Sequence, residues 1–331
     1  MAKAKDIPDL NYNASVQEGA QRVLLFRFDE MINLREAALD FSDIEGVHNM
    51  RVASRRLRSA LADFASYFRR RELNSSRKKL KTLASALGEV RDADVAIQAL
   101  DKLASRADAD VAEGVGRLID ERKREREDAR AKLVKAIDRD DCQNLRAEFV
   151  MSLEKAIAKR NSVQENDLRG AHTNGTSFHD AGRGLIEERY LQLRKLSASL
   201  FRPHDSEALH DMRIEAKRLR YTLELFAAAW NDSLLSFADE VSQMQTLLGE
   251  LHDCDVWIDA LGTRLKKQHA RSERQPDNGL INRWQQNRNA SIWLLQHFVR
   301  ARTKNYQGAL ALWHEWEKLD FKNSLTTQLC Q

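Results

Sequence analysis

The amino-acid sequence predicts an all-α protein made of two tandem copies of one helical unit, each an antiparallel four-helix bundle. Three observations carry this prediction. Ala, Leu, Arg, Glu and Lys dominate, residues that lose little on entering a helix, and only 3 prolines and 13 glycines interrupt 331 residues. No run rich in Val, Ile and Thr has the alternation of a strand. Two sequence blocks recur in the same order at nearly the same spacing, which marks an internal duplication.

The first block is Val47-His48-Asn49-Met50-Arg51-Val52-Ala53-Ser54-Arg55-Arg56-Leu57-Arg58. Its match is Leu209-His210-Asp211-Met212-Arg213-Ile214-Glu215-Ala216-Lys217-Arg218-Leu219-Arg220, at an offset of 162. Phe64 and Phe226 continue the match at the same offset. The second block, Leu87-Gly88-Glu89-Val90-Arg91-Asp92-Ala93-Asp94-Val95, matches Leu248-Gly249-Glu250-Leu251-His252-Asp253-Cys254-Asp255-Val256 at an offset of 161.

The elements follow in chain order. A polar tail, 1–14, precedes the first repeat, 15–160. Helical periodicity there runs over roughly 15–40, 43–70, 73–105 and 109–138, with a short extra helix near 145–160. Ser42-x-x-Glu45 reads as a capping box opening the second helix. Residues 161–183, with Asn, Gly, Ser, Thr, Asp and His and no periodicity, read as a linker. The second repeat, 184–320, carries helices over roughly 184–201, 206–230, 234–269 and 280–319, and 321–331 reads as a C-terminal tail. Pro203 and Asp205 mark a helix start equivalent to that after Ser42.

Charge narrows the function classes. The net charge of +4 is modest but unevenly spread: 47–91 holds 12 Lys or Arg against 3 acids, and 278–314 holds 5 Lys or Arg, 2 His and no acid. Acids collect elsewhere, as at Asp138, Asp140 and Asp141. Such patches attract anionic partners. Cys142, Cys254 and Cys330 are far apart and form no CxxC, so neither a disulfide framework nor a zinc site is expected, and a reducing cytoplasm fits. Met1 to Tyr12 has no apolar core of a signal peptide, and no apolar run is long enough to span a bilayer. No membrane partner is expected. No Gly-rich nucleotide fingerprint, Ser/His/Asp or Cys/His arrangement is present, so no catalytic residue and no cofactor are assigned.

The first block forms a stripe. With His48 at zero on a helical wheel, Arg51, Arg55 and Arg58 fall at about 300°, 340° and 280°. Met50, Leu57, Leu61 and Phe64 fall at about 160–220°, on the core side, and Arg56 stands apart at about 80°. His210, Arg213, Lys217 and Arg220 repeat the stripe, with Arg218 set apart. Cations so stacked repel one another, and no acid between Gly46 and Ala62 relieves them. One such stripe is equally well a solvated face; its recurrence at identical spacing favours an anion-binding site. The histidine reads as a hydrogen-bonding partner, because no His, Cys or carboxylate stands at i+3 or i+4 to share a metal. Arg27 with Arg189, and Arg126 with Arg288, match across the repeat and are candidates to extend the anion surface.

In the second block, Leu80, Leu83, Leu87, Val90 and Ile97 form an apolar row that Asp94 continues, and Asp255 holds the matching place. A carboxylate there needs a cationic partner. Arg56 and Arg218 are the candidates, giving a structural brace of Arg56, Asp94, Arg218 and Asp255. Asp92 and Asp94 as a metal-binding pair are disfavoured, since residues two apart on a helix point about 200° from each other. Gly88 and Gly249 inside helices cost about 1 kcal/mol each against Ala, which suggests close packing or a kink. Trp284, Trp293, Trp313 and Trp316 read as core and bundle-end residues.

At these two blocks the chain resembles a CHAD domain, the conserved histidine α-helical domain, over about residues 15–320. The resemblance rests on His48-x-x-Arg51 with Arg55-Arg56-Leu57-Arg58, on its second copy, and on Leu-Gly-x-x-(Arg/His)-Asp-x-Asp-Val in each half. It implies two four-helix bundles related by a pseudo-twofold axis, with a basic surface or pore along and between them. It also implies binding of inorganic polyphosphate, and so association with polyphosphate granules. Some members are fused to a triphosphate-tunnel domain with an ExExK strand motif; that motif is absent here, and the expectation is a binder and not an enzyme. His48, Arg51, Arg55, Arg58, His210, Arg213, Lys217 and Arg220 carry over as binding residues. Lys217 stands where the motif has Arg, and acts as a point charge and not a fork. The competing readings are a phosphate-processing enzyme with an Asp-bound metal, and a scaffold for nucleic acid or protein.

Overall fold

The computed structural model describes residues 5–166, 176–272 and 281–331. Ser15 opens α1 (Val16–Ile32), its hydroxyl accepting the Glu18 amide at 3.3 Å. The helix predicted to run on to residue 40 breaks at Asn33 and resumes as α2 (Arg35–Leu39). Asp43 caps α3 (Ile44–Asp63), its carboxylate accepting the Glu45 amide at 2.9 Å. The Ser42 hydroxyl instead donates to Asp40 Oδ1 at 2.6 Å. The capping box at Ser42 is thereby corrected: a charged acceptor one residue closer to the first turn takes the cap. On α3, Met50, Leu57 and Leu61 are buried, as is Phe64 just beyond it, on the face the wheel predicts.

Two 3₁₀ turns lead to α4 (Asn74–Ala104), α5 (Ala109–Ala136) and α6 (Arg139–Asn166). The short helix expected near 145–160 is thus 28 residues long, with Leu145, Phe149, Leu153 and Ala156 buried at a 4-4-3 spacing. It runs into the stretch read as a linker, and α7 (Phe178–Lys195) begins before its far end. The rest of that linker, 167–175, lies outside the described residues. Next come α8 (Ser206–Phe226), α9 (Leu234–Ser272) and α10 (Ile281–Lys318). The expected C-terminal tail forms α11 (Phe321–Leu329), because Phe321, Leu325 and Leu329 stand at i, i+4 and i+8 and all are buried. Among the described residues no strand forms; Ser15 and Ser177 make an isolated bridge.

The chain divides into two compact units whose boundaries fall inside α4, α5, α7 and α8 and after the first residue of α9. The first comprises Met1–Asp94, Arg126–Glu188 and Tyr221–Leu234; the second comprises Val95–Glu125, Arg189–Arg220 and Leu235–Gln331. Each unit therefore draws on both sequence repeats. In the first, Phe64, Phe178 and Phe226 form an aromatic centre with ring centroids 4.9–6.4 Å apart. Ser15 with Ser177 and Phe64 with Phe226 join equivalent positions of the two repeats. The second unit buries Ile97 and Leu100 of α4, Leu118 and Ile119 of α5, Leu261 of α9, and Leu294 and Phe298 of α10 in one cluster.

Candidate functional site

Within each unit the two repeated blocks meet. In the first, Arg51 of α3 donates through Nη1 to Asp92 Oδ1 of α4 at 2.6 Å. Arg91, the preceding residue of α4, reaches back toward Glu45 at 3.8 Å and lies close enough to His48 to depress its basicity. Burial is the larger cause of that depression, and together they hold His48 below the usual imidazole value. Arg55 is half-buried and Arg58 exposed on the same helix.

In the second unit, His210 of α8 and His252 of α9 bring their Nδ1 atoms to 3.2 Å, with ring centroids 4.3 Å apart. Arg213 Nη2 lies 3.4 Å from His210 Nδ1. Burial first, then Arg213, holds both imidazoles below their ordinary value, and His252 adds to the depression of His210. Lys217 is half-buried one turn further along α8.

His252 and Arg91 occupy the same position of the repeat. The sequence motif contains both, yet periodicity and spacing assign neither a role. The signal that could have found them is a basic residue at one repeat position in both copies, each followed directly by Asp.

Arg220 departs from the expected stripe. It is only 5% exposed, and its Nε donates to Gln245 Oε1 at 2.9 Å inside the second unit. The equivalent Arg58 is exposed, so the two stripes differ at their last member. Of the candidates to extend the anion surface, Arg27 is buried and bonded to buried Glu30 at 2.8 Å, a structural pair and no surface contact. Arg126 faces Asp94 and Glu127, Arg189 stands 4.0 Å from Glu215, and Arg288 is exposed over the Trp284 ring.

The carboxylate braces exist with different partners. Asp94 is 3% exposed, and Arg126 forms an ion pair with it at 3.6 Å, too long for a direct hydrogen bond. Burial pushes its carboxyl up, against the pull of Arg130, Arg126 and Arg91. Asp255 accepts from Arg302 Nε at 2.5 Å, while Arg302 Nη2 donates to the Pro203 carbonyl at 2.7 Å. The expected partners act elsewhere: Arg56 is buried 3.5 Å from Glu224 and over the Tyr221 ring, and Arg218 donates to Glu215. Arg56 and Arg27 line a small, partly open cavity with Asp63 and Glu224. In each repeat, then, a cation from the next long helix, α5 or α10, braces the Asp of α4 or α9.

Gly88 and Gly249 do not serve close packing. A Cβ at Gly88 would meet nothing within 4 Å, and one at Gly249 would meet only Arg213 Cδ at 4.0 Å. Among the described residues no group of three or more His, Cys, Asp or Glu side chains converges as a metal site would, and no helix is long and apolar enough to cross a membrane. All three cysteines are free, and burial pushes the Cys254 thiol up to about 11, away from nucleophilic chemistry.

A family model described as the CHAD domain matches residues 22–262. Uncharacterized proteins from two strains of Mycobacterium tuberculosis are 29% identical over 236 residues, which is 69% of this chain and 42% of theirs. The chain thus spans less than half the length of these curated relatives. The crystal structure of the CHAD domain from the plant Ricinus communis superposes with a TM-score of 0.66 over 94% of this chain and 96% of that one, at 20% identity, a likeness of fold. With the family model spanning most of its length and both repeated blocks, the chain belongs to the CHAD domain family.

Proposed function

We propose that this chain is a binding module for inorganic polyphosphate, acting in the cytoplasm at polyphosphate granules, and that it is not itself an enzyme. One observation carries the reading: within each unit, the His-x-x-Arg stripe meets a further basic residue from the second block, Arg91 or His252. His48, Arg51, Arg55 and Arg58 in one repeat, and His210, Arg213 and Lys217 in the other, are the groups assigned to phosphate oxygens. Arg220 supports that row from inside. Polyphosphate is flexible and featureless apart from its charge, so rows of cations suit it better than a shaped pocket does. The carboxylates beside the stripe, Asp92 and Asp94, already face arginines, which favours binding over Asp-held metal chemistry.

Titration with long-chain polyphosphate tests this. About 6–10 phosphate contacts should cost roughly 10³–10⁵ in affinity between 50 and 200 mM salt, by analogy with nucleic acids. Absence of binding at low salt, or a clear preference for RNA or DNA in competition, would overturn it. Release of phosphate in the presence of Mg²⁺ would turn the reading toward an enzyme.

Asp92 supplies a sharper check. Its exposed carboxylate holds Arg51 at 2.6 Å and competes with any anionic ligand. Asp92→Asn is expected to tighten polyphosphate binding by several-fold, up to about tenfold at low salt, the worth of one unopposed charge. Weaker binding in that variant would mean that Asp92 orients Arg51 for the ligand.

A further inference from the structure

We infer that His252 is an anion-contacting residue, and that at this repeat position the second half of the chain takes up one proton with its polyanion, where the first half carries a permanent charge. This rests on the polyanion-binding reading above. It begins from the 3.2 Å Nδ1–Nδ1 contact between His210 and His252.

A guanidinium can only donate, so Arg213 Nη2 at 3.4 Å makes His210 Nδ1 an acceptor. The short contact between the rings then needs the proton on His252 Nδ1. In the neutral pair this fixes both tautomers. His210 carries its hydrogen on Nε2, and His252 Nε2 is bare. Among the described residues neither Nε2 has a protein partner. The pair thus offers an anion one donor and one lone pair, and the lone pair repels it. A single proton from bulk water, placed on His252 Nε2, changes this without breaking the contact between the rings. The pair then carries one positive charge and two free N–H donors, and hydrogen bonds from a charged donor are the stronger kind.

The surroundings keep that proton off until an anion arrives. Burial and then Arg213 of α8 oppose it on His252; Asp255 favours it, but Arg302 of α10 already holds Asp255, and Lys217 with Asp211 act on the His210 ring. A bound polyphosphate reverses the balance. In the first unit the equivalent position is Arg91, which is always charged, so that site needs no proton there.

Both rings lie below their ordinary value in the free chain, so at pH 7.5 the pair is neutral and the anion must recruit the proton. Affinity should therefore rise as pH falls toward 6, by at most about tenfold per pH unit for one linked proton.

The experiment is calorimetric titration of the full chain with long-chain polyphosphate at pH 7 in two phosphate-free buffers of different ionisation enthalpy, which counts protons taken up. His252→Arg reproduces at this position the side chain the other repeat already accommodates, and His252→Gln removes the titrating group at similar size. Both are expected to take up fewer protons than the parent, by up to one per chain, with His252→Arg binding more tightly at pH 7.5. Arg91→His is expected to take up more. An equal proton count in the parent and both position-252 variants would overturn the inference and leave the polyphosphate reading intact. No binding in any buffer at low salt would overturn both.

Discussion

Changing Arg51, Arg55, Arg213 and Lys217 together to Ala is expected to lower polyphosphate affinity by roughly 10³–10⁴ at about 0.1 M salt. The magnitude follows from counterion release. Each neutralised phosphate contributes a slope of about 0.9 in log affinity against log salt, so at 0.1 M each neutralised phosphate is worth nearly a factor of ten. Removing all four cations should flatten the slope by about 3.6. The slope is the better readout, because a variant that had merely loosened its fold would bind weakly without that specific change. Arg51→Ala has a second consequence: it leaves the Asp92 carboxylate without its 2.6 Å partner beside the ligand, so this single change should cost more than Arg55→Ala. Circular dichroism and thermal melting of each variant separate binding loss from unfolding. A salt slope unchanged in the fourfold variant would place the ligand on another surface.

Much of this architecture is legible in the chain itself, for a physical reason. Met50, Leu57, Leu61 and Phe64 repeat at the helical period, and a period is a local property. The same holds for the row from Leu80 to Ile97, including the buried Asp94. Choices made over long separations are not legible. Nothing local to Asp94 selects Arg126 over Arg56, and nothing local to Asp255 selects Arg302 over Arg218. Arg220 and Arg58 share a repeat position, yet only Arg220 has Gln245 to receive it in the interior. The helix α6 reads as shorter than it is because its two ends, 139–144 and 161–166, are almost wholly polar and carry no apolar stripe. The nine-residue α11 reads as a tail because three apolar residues in a polar stretch predict little until Trp316 offers Phe321 a stacking surface 4.6 Å away. The compact units cross the repeat boundary for a related cause. α4, α5, α7 and α8 are each divided between the units, and nothing in the helical period of any one of them marks the point of division.

Gly46→Ala is expected to destabilise the chain by about 1–3 kcal/mol, although alanine is the better helix former by about 1 kcal/mol. A Cβ at residue 46 would stand 1.8 Å from the Ala37 carbonyl oxygen and 2.4 Å from its carbon. Those are backbone atoms of α2, so no side chain can rotate away; the whole short helix must move off α3. Ala38 and Val47 are buried at this contact and would be opened to water. The cost therefore combines overpacking with lost apolar burial, two of the few mechanisms that give large single-site effects. Gly88→Ala is the matched control. It makes the same chemical change inside a helix, but its Cβ would meet nothing within 4 Å, so the helix-propensity gain of up to about 1 kcal/mol should stand alone. Denaturant midpoints of the two variants should thus move in opposite directions from the parent. The consequence reaches function, because Gly46 lies two residues before His48 on α3. Moving α2 off that helix changes the packing that sets the first turn of the basic stripe, and Gly46→Ala should weaken polyphosphate binding even at temperatures where the chain is still folded.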